Sequence, residues 1–454
     1  MTSSESETSK DLEDWVPVAL PIPDHWAYSN FEDALAPIST SKIKIAQKDY
    51  LADGAYPVID QGQSFIGGYT DGDSKLIDED RPIIVFGDHT KCFKFVVFPF
   101  APGADGTKVL KPSDFLDGKF AYYACLSLKL PDRGYSRHYS FLKRSKFPVA
   151  PINEQRRIVA MIEELFSELD KGIESLSTAR EQLKVYRQAV LDSAASGQLL
   201  VQRGHRTSPF SDDVIISLEK VVDELGQGWS PRCLNHPSPD DEVWGVIKTT
   251  AIQHLSFDES ENKELPNHLE PRPHLSIKAG DILITRAGPR KRVGVACLVR
   301  ACRPCLMLCD KAYRLQSNPK KVLPEYLEML LNSPRVLDEI EKLKTGINDS
   351  GVNLTQARFL SLQIPVPNIA DQNVTLEELE RTLSKIENAK AQIEDALERE
   401  FTLRHSILKK AFSGQLLEQD SNDEPASVLL ERIKVEKVEQ EKNKKKNKKR
   451  KDAA

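Results

Sequence analysis

The sequence has few of the features that mark membrane or secreted proteins. It contains no apolar run of the ~20 residues that a membrane helix needs. Its first fifteen residues are acidic and polar, unlike a secretory signal. Cysteine is scarce, with 7 residues in 454, and without a secretory segment we expect reduced thiols and no disulfide framework. We therefore expect a cytoplasmic protein with no membrane partner.

Motifs of catalysis are also missing. The chain has neither G-x-x-x-x-G-K-[ST] nor G-x-G-x-x-G, the phosphate-binding loops of ATPases and of dinucleotide-binding domains. It lacks the Asn/Asp-Pro-Pro-aromatic tetrapeptide with which amino-methyltransferases hold a target amine. Acid–base pairs leave no such signature, because they depend on geometry. We predict no catalytic residues and no cofactor bound by this chain, and a self-sufficient methyltransferase is the less favoured alternative.

The net charge does not indicate a nucleic-acid-binding protein. The chain has 63 basic and 68 acidic residues, a formal charge of -5. Residues 442–451 hold eight Lys or Arg and no acidic residue, so the rest of the chain is more acidic than the total suggests. DNA contacts would have to come from local basic patches, because phosphates respond to local potential.

The most informative feature of the sequence is an internal repeat. Residues 147–200 and 364–417 align without a gap. Both copies contain Pro-Val near the start, a matched glutamine (Gln155 and Gln372) and the closing sequence Ser-Gly-Gln-Leu-Leu. Prolines stand at the start of each copy, a glycine stands near its end, and no proline lies between. This arrangement predicts one long helix in each copy.

Apolar residues recur every seven positions in both predicted helices, and Glu400 is the clear exception. Small residues near the middle would allow two backbones to approach closely, so we predict that the helices pack on each other. Two independent amphipathic helices, each on its own domain, are the alternative. The predicted helix-pair packing residues are Ile162, Leu169, Gly172, Leu176, Ala179, Leu183, Leu379, Ile386, Ala389, Ile393, Ala396 and Leu403.

The segments before each predicted helix are mixed α/β in character. Short β-rich runs such as RPIIVF, FKFVVF, DILIT and VGVACLV stand among Gly and Pro turns. The order globular, helix, globular, helix predicts a tandem duplication. The predicted divisions are a disordered N-terminus (1–15), a first globular domain (16–150), a first spacer helix (151–205), a second globular domain (206–367), a second spacer helix (368–417) and a basic, disordered C-terminal tail (418–454).

Both globular domains carry basic clusters in candidate loops between strands. Such loops can reach the grooves or phosphates of DNA. Charges that only solvate a hairpin are the alternative for each loop taken alone. The candidate DNA-binding residues are His89, Thr90, Lys91, Lys94, Arg137 and Lys143 in the first domain and Arg286, Arg290, Lys291 and Arg292 in the second.

A group of cysteines resembles a metal site only superficially. Cys302, Cys305 and Cys309 follow one another closely, and Cys297 lies nearby. A structural zinc site needs four ligands, usually as two pairs, and a second well-spaced pair is missing. We predict no metal ligand here and interpret these cysteines as small apolar residues of two strands.

The order of these segments resembles that of the specificity subunits of type I DNA restriction-modification enzymes. The resemblance covers nearly the whole chain apart from the first fifteen residues and the basic tail. The segments that carry it are YPVIDQGQSFIGGYTDG (56–72), IIVFGDHTKCFKFVVFPFAPGADGTKVLKP (83–112), YRQAVLDSAASGQLL (186–200), IKAGDILITRAGPRKRVGVA (277–296), GINDSGVNLTQARFLSLQIPVP (346–367) and SILKKAFSGQLL (406–417).

This resemblance implies two target recognition domains, each reading half of an asymmetric bipartite sequence in double-stranded DNA. An antiparallel coiled coil of the two long helices would separate them and set the gap. The partners implied are two methyltransferase (M) subunits, which use S-adenosylmethionine, and restriction (R) subunits, which use ATP and Mg. The alternative function is a noncatalytic coiled-coil scaffold whose globular domains bind proteins.

Overall fold

The computed structural model describes residues 21–80, 82–131, 134, 136–346 and 348–435. The chain divides into two compact units, one comprising residues 1–174 with 396–454 and the other residues 175–395. Each unit contains one globular domain and part of both long helices. The predicted disordered segment 1–15 and the basic run 442–451 lie outside the described residues. In the part of the chain that the structure describes, no helix combines the length and the apolar character needed to cross a membrane.

In the described residues of the first unit, the globular domain contains nine strands and three short α-helices. The strands are β1 (Ala27–Asn30), β2 (Leu35–Ile38), β3 (Tyr56–Ile59), β4 (Gly68–Thr70), β5 (Ile83–Gly87), β6 (Phe93–Val96), β7 (Ala101–Pro102), β8 (Thr107–Pro112) and β9 (Lys146–Val149). The helices are α1 (Phe31–Ala34), α2 (Gly118–Ser127) and α3 (Tyr139–Arg144), and the first long helix, α4 (Ile152–Ala195), follows.

The second unit continues with α5 (Gln198–Gln202) and a second globular domain. Its strands are β10 (Ile215–Ser217), β11 (Val222–Gln227), β12 (Gly245–Ile247), β13 (Ile252–Gln253), β14 (Ser256–Phe257), β15 (Asn262–Glu264), β16 (Ile282–Thr285), β17 (Ala287–Gly288), β18 (Ala296–Leu298), β19 (Leu306–Met307), β20 (Ala312–Ser317), β21 (Val352–Asn353) and β22 (Gln363–Pro365). Its helices are α6 (Pro324–Leu331), α7 (Pro334–Leu343), α8 (Gln356–Leu360) and α9 (Ile369–Glu398), and α10 (Glu400–Phe412) returns the chain to the first unit.

The two globular domains share one strand topology. Each has a four-stranded antiparallel sheet, ordered β2-β8-β5-β6 in the first unit and β11-β20-β16-β18 in the second. Each also has a three-stranded sheet with one antiparallel and one parallel pairing, β4-β3-β7 and β15-β12-β19. A two-stranded antiparallel ladder joins β1 to β9 and β10 to β22. The duplication therefore includes the globular domains as well as the long helices.

An inner strand of each four-stranded sheet divides its side chains between two apolar cores, as the two-residue period of a strand requires. In β5, Ile84 and Phe86 enter a core that includes the long helices, and Ile83 enters a second core behind the sheet. In β16, Ile284 enters the core that includes the long helices, and Leu283 enters a second core on the other face of the sheet. Burial on both faces explains why these strands are continuous apolar runs in the sequence.

The long helices pack against each other in both units, and they run antiparallel. In the first unit Ile162 shares a core with Leu408, near the start of α4 and the end of α10. In the second unit Arg187 Nη1 lies 3.0 Å from Glu387 Oε1, near the end of α4 and within α9. As the residue number rises along one helix, it falls along its neighbour.

The predicted packing residues differ in how deeply they are buried. Ile162, Leu379 and Ile386 are buried. The residues that are half-buried are Leu169, Leu176, Ala179, Leu183, Ala389, Ile393 and Ala396. Gly172 and Leu403 are exposed, and a Cβ placed on Gly172 would meet no atom within 4 Å, so the expected close approach at Gly172 is wrong. Two helices alone bury only the strip between them, which leaves the edges of that strip open to solvent.

The matched glutamines join each globular domain to its long helix through the same three hydrogen bonds. The Gln155 amide donates to the carbonyl oxygens of Phe115 (3.0 Å) and Ala150 (2.8 Å) and accepts from the Asp117 amide (2.8 Å). Gln372 repeats this pattern at the start of α9, where it accepts from the amide of Leu323 (2.9 Å). Both side chains are fully buried.

The second spacer helix is not continuous. It is interrupted at Arg399, between α9 and α10, whereas the sequence predicts one helix over residues 368–417. Glu400, which breaks the apolar pattern, pairs with Arg404 at 2.8 Å, and Arg404 in turn pairs with Asp170 of α4. The charged residue is therefore accommodated by an ion pair in place of apolar packing. Gly414 follows α10 with φ +69, the left-handed conformation expected of a C-cap.

Part of the predicted disordered tail is folded. Residues 426–435 are helical. Ala426 is fully buried in the core of the first unit, and Leu429 packs against the same core. The Asp423 carboxylate lies 2.6 Å from Arg157 of α4. The amphipathic sequence SVLLERIKV supplies an apolar face that burial stabilises, which explains why residues 418–435 depart from the prediction.

Candidate nucleic-acid interface

The loop between β5 and β6 holds three of the candidate DNA-binding residues in a defined conformation. Gln61, in the loop after β3, makes two hydrogen bonds to this loop. Its side-chain oxygen accepts from the His89 amide (3.3 Å), and its backbone carbonyl accepts from the Thr90 hydroxyl (2.6 Å). Lys91 adopts φ +59, a left-handed conformation at the tip of the turn. All three side chains are partly exposed.

Asp88 brings this loop together with the second basic segment of the first unit. One carboxylate oxygen accepts from the backbone amides of His138 (2.9 Å) and Tyr139 (2.7 Å), at the start of α3. The other lies 3.7 Å from Lys108 Nζ. Asp88 itself is buried. The two predicted segments, about 45 residues apart in sequence, therefore meet at one end of the four-stranded sheet.

We call the contact between Asp88 and the start of α3 the junction of the first unit, and Arg137 and Lys143 lie beside it. Arg137 is exposed, and among the described residues it makes no ion pair. Lys143 Nζ lies 2.9 Å from Glu32 and 5.9 Å from the centre of the Tyr139 ring. Arg137 therefore presents its charge beside the start of α3, whereas the charge of Lys143 is paired with that of Glu32.

Lys94 does not belong to this surface, and its assignment as a DNA contact is wrong. Its side chain is buried, Nζ donates to the carbonyl of Ser64 (2.6 Å), and Asp60 lies 3.5 Å away. The strand period explains the error, because Lys94 lies on the face of β6 that it shares with the buried Val96, where its side chain meets the loop after β3. Lys94 instead holds the loop that follows β3.

In the second unit the arginines of the predicted loop mostly hold the domain's own backbone. Arg292 donates to the carbonyl oxygens of Thr249 and Ile252, each at 2.6 Å. Arg290 pairs with Glu341 (2.6 Å) and Asp349 (2.8 Å).

The remaining two basic residues of that loop differ in their surroundings. The Arg286 guanidinium donates to the carbonyl of Asp310 and lies 5.7 Å from the centre of the Tyr313 ring. Lys291 is exposed and makes no ion pair with any residue that the structure describes. Of the four predicted contacts in this loop, Lys291 is the one fully presented to solvent. A guanidinium with five donors is well suited to tie loops together, which the charge pattern alone does not reveal.

The junction that Asp88 forms has a counterpart in the second unit with different side chains. The Leu354 amide donates to the Arg286 carbonyl (2.7 Å), as the His138 amide donates to the Asp88 carbonyl (2.8 Å). Strand register also places Tyr313 opposite Ile284 as Lys108 lies opposite Phe86. The backbone arrangement is therefore shared, whereas the chemistry at the matched positions differs.

Sequence reasoning missed several residues of this surface. Asp88, Lys44 and Lys108 line or support it but stand outside the basic clusters. Lys108 does lie in the GADGTKVLKP segment on which the family resemblance rests, which was the available signal. No sequence signal pointed to Lys44, because this residue joins the surface only when β2 pairs with β8.

The cysteine group shows no metal-binding geometry. Among the described residues, no group of three or more His, Cys, Asp or Glu side chains is placed to hold a metal ion. Burial raises the pKa of the Cys302 and Cys309 thiols to about 11. Cys297 and Cys309 are buried in the core beside β16.

Comparison with known proteins gives consistent relatives. No family model matches the chain. It is 36% identical to the type I restriction enzyme EcoEI specificity subunit of Escherichia coli over 194 residues, 43% of this chain and 33% of that subunit. It is 25% identical to the EcoKI specificity subunit of Escherichia coli strain K12 over 349 residues, 72% of this chain and 74% of that subunit. The first alignment thus spans about a third of that relative's length.

Solved structures share the fold. The HsdS subunit from Thermoanaerobacter tengcongensis superposes with a TM-score of 0.53 at 16% identity, over 87% of this chain and 98% of that one. A second chain comes from a study of complex assembly and conformational transition in the type I R-M system. It superposes with a TM-score of 0.58 at 16% identity, over 88% of this chain and 100% of that one. With the duplicated domains and the antiparallel helices, these likenesses make the chain similar in sequence to type I restriction enzyme specificity subunits and similar in fold to the HsdS subunit.

Proposed function

We propose that this chain is the DNA-reading component of a type I restriction-modification complex and recognises an asymmetric bipartite sequence through its two globular domains. The observation that carries the proposal is the pair of matched junctions. Asp88 and Lys108 stand in the first unit where Arg286 and Tyr313 stand in the second. Each junction lies next to a basic loop that presents at least one exposed cation.

Matched backbones with different side chains suit two different half-sites. Sequence is read through side chains that approach base edges, while contacts to phosphate fix the position of the protein. Two domains with the same topology would approach DNA in the same way. Their different side chains would then select different bases, which gives an asymmetric target.

Exposed apolar residues on the long helices support a role in assembly. Tyr186 is 51% exposed and Leu403 is 47% exposed, and the gapless alignment of the repeat puts them at matched positions. Val185 and Phe401 beside them are more exposed still. Apolar residues repeated on two helices are suited to two copies of one partner. We propose that the two copies are M subunits and that R subunits join this assembly.

Catalysis belongs to these partners in our proposal. The M subunits would transfer a methyl group to adenine with S-adenosylmethionine, and the R subunits would use ATP and Mg. This chain would act without catalysis, by choosing the DNA sequence. Its place in the cytoplasm, where such a complex meets DNA, is part of the same proposal.

The test is adenine methylation by purified M subunits on random-sequence duplex DNA, with and without the chain. We expect methylation of one bipartite motif only when the chain is present. The chain alone should transfer no methyl group, and methylation by it alone would favour the self-sufficient enzyme. Assembly with M subunits that leaves DNA binding and methylation unchanged would favour the alternative, a protein-binding scaffold.

A further inference from the structure

A cavity of about 310 Å³ opens in the first unit between β2, the turn that follows it and the start of β8, and Pro37, Ile38 and Val109 form the apolar part of its wall. Its wall combines two ammonium groups, Lys44 and Lys108, with several hydroxyls. The hydroxyl-bearing residues that line it are Ser39, Thr40, Ser41, Thr107 and Tyr139. Among the residues that the structure describes, no carboxylate lines it, although Asp88 and Asp105 lie near enough to act on Lys44. This composition suits an anion with several oxygen acceptors.

The Tyr139 phenol is the least satisfied group of the cavity. Its oxygen is buried and finds no hydrogen-bond partner among the described residues. A buried hydroxyl without a partner costs free energy that a bound acceptor would recover. Lys108 Nζ lies 5.2 Å from the centre of the Tyr139 ring, so the phenol and this ammonium border the same space.

The two lysines repel each other where they stand. Burial first, and then the charge of Lys108, lower the pKa of the Lys44 ammonium. Two carboxylates oppose this effect, Asp88 and Asp105. Asp88 already accepts two backbone amides and lies 3.7 Å from Lys108, while Asp105 is exposed. An anion between the lysines would relieve the remaining repulsion.

The cavity adjoins the candidate DNA surface. Gly87, at the end of β5, pairs with Thr107 of the cavity wall, and the Asp88 amide donates to the Gly106 carbonyl (2.8 Å). The loop that carries His89 therefore begins one residue beyond the strand pair that borders the cavity. A duplex lying on that loop would bring its backbone to the cavity mouth.

We propose that the cavity between Lys44, Lys108 and Tyr139 is a binding site for one phosphate of the DNA backbone. A phosphodiester carries a single negative charge and two free oxygens, which two ammonium groups and a phenol can bind together. The site belongs to the first domain only, because Tyr313 replaces Lys108 in the second and donates its hydroxyl to Leu354 (3.0 Å). The proposal rests on the proposed function, since it needs DNA on this face.

The experiment uses the full chain assembled with M subunits and a duplex that contains its methylated motif. The double variant Lys44→Gln/Lys108→Gln should bind about tenfold more weakly and flatten the dependence of log affinity on log salt by about 1. The recognised motif should not change. Lys48→Gln removes an exposed lysine of the same segment that does not line the cavity, and it should bind like the wild type.

A neutral methylphosphonate, placed at one backbone position after another, locates the contact. One position should weaken binding of the wild type and cause no further loss in the double variant. Tyr139→Phe keeps the fold intact, because its hydroxyl has no partner within the described chain, and should weaken binding about threefold. Wild-type affinity in Tyr139→Phe would overturn the role of the phenol.

Two results would overturn the site while leaving the proposed function standing. The first is a double variant that binds DNA as Lys48→Gln does at every salt concentration, although the wild type still directs methylation. The second is binding of inorganic phosphate, followed by ³¹P NMR, that the double variant loses without any change in DNA affinity. That result would assign the site to free phosphate. A wild-type chain that directs no methylation would instead refute the proposed function.

Discussion

Replacing Gln155 with methionine removes the three hydrogen bonds that attach the first globular domain to α4, at nearly constant side-chain volume. The change leaves the buried carbonyl oxygens of Phe115 and Ala150 and the partly buried Asp117 amide without these hydrogen-bond partners. An unsatisfied buried group costs about 1–3 kcal/mol, and carbonyl oxygens tolerate the loss better than amides. We expect the first unit to lose about 4 kcal/mol of stability.

Hydrogen exchange followed by mass spectrometry can measure this loss in each unit separately. A loss of about 4 kcal/mol corresponds to roughly a thousandfold faster exchange of amides that open with the whole unit. The effect should appear in strands such as β5 and be absent from β16. Gln372→Met should give the reverse pattern, because Gln372 makes the same three bonds in the second unit.

Gln182→Met is the matched control, since Gln182 is an exposed glutamine of α4. It should leave exchange in both units unchanged. If Gln155→Met changes exchange no more than Gln182→Met does, the glutamine bonds do not hold the domain to the helix. Faster exchange in both units from either substitution would contradict the separate attachment of each domain.

Three further predictions concern the basic and apolar surfaces. Lys94→Met should cost the first unit about 1–3 kcal/mol in denaturant unfolding and leave the salt dependence of DNA binding unchanged, because Lys94 bonds its own chain; a flatter salt dependence would return it to the interface. Lys291→Ala should flatten that dependence by about 1, whereas Arg290→Ala should mainly lower the melting temperature, because it breaks two ion pairs; equal effects from both would refute the distinction. Tyr186→Ser and Leu403→Ser should each weaken binding of M subunits, measured by calorimetry, at an unchanged melting temperature, and unchanged binding in both would remove these helix faces from the assembly.

The larger architecture was readable from the sequence because its signals are local. The runs RPIIVF and DILIT became β5 and β16, since strands buried on both faces must be continuously apolar. The gapless repeat predicted paired helices, and its matched glutamines proved to be matched attachments. The interruption at Arg399 was not predicted, although Glu400 marked the place where the apolar pattern fails.

The candidate interface was less predictable because it depends on tertiary contacts. Charge clusters drew attention to Arg290 and Arg292, yet both bond the second unit's own loops. Lys44 and Asp88 carry no local signal, and they reach the surface only through strand pairing and backbone bonds. The sequence shows where arginines are concentrated. Only the folded structure shows which of their N–H groups already donate hydrogen bonds within the chain.

The central claim is that two domains of one chain each read their own half of a DNA target. Its most direct test is adenine methylation sequencing of a genome in cells that carry the M subunits with the wild-type chain, with the Lys44→Gln/Lys108→Gln chain or with the Lys291→Ala chain. We predict one bipartite methylated motif with the wild type, reduced methylation at the same motif with each variant, and none without the chain. A motif with a single uninterrupted core, or methylation that persists without the chain, would contradict the account.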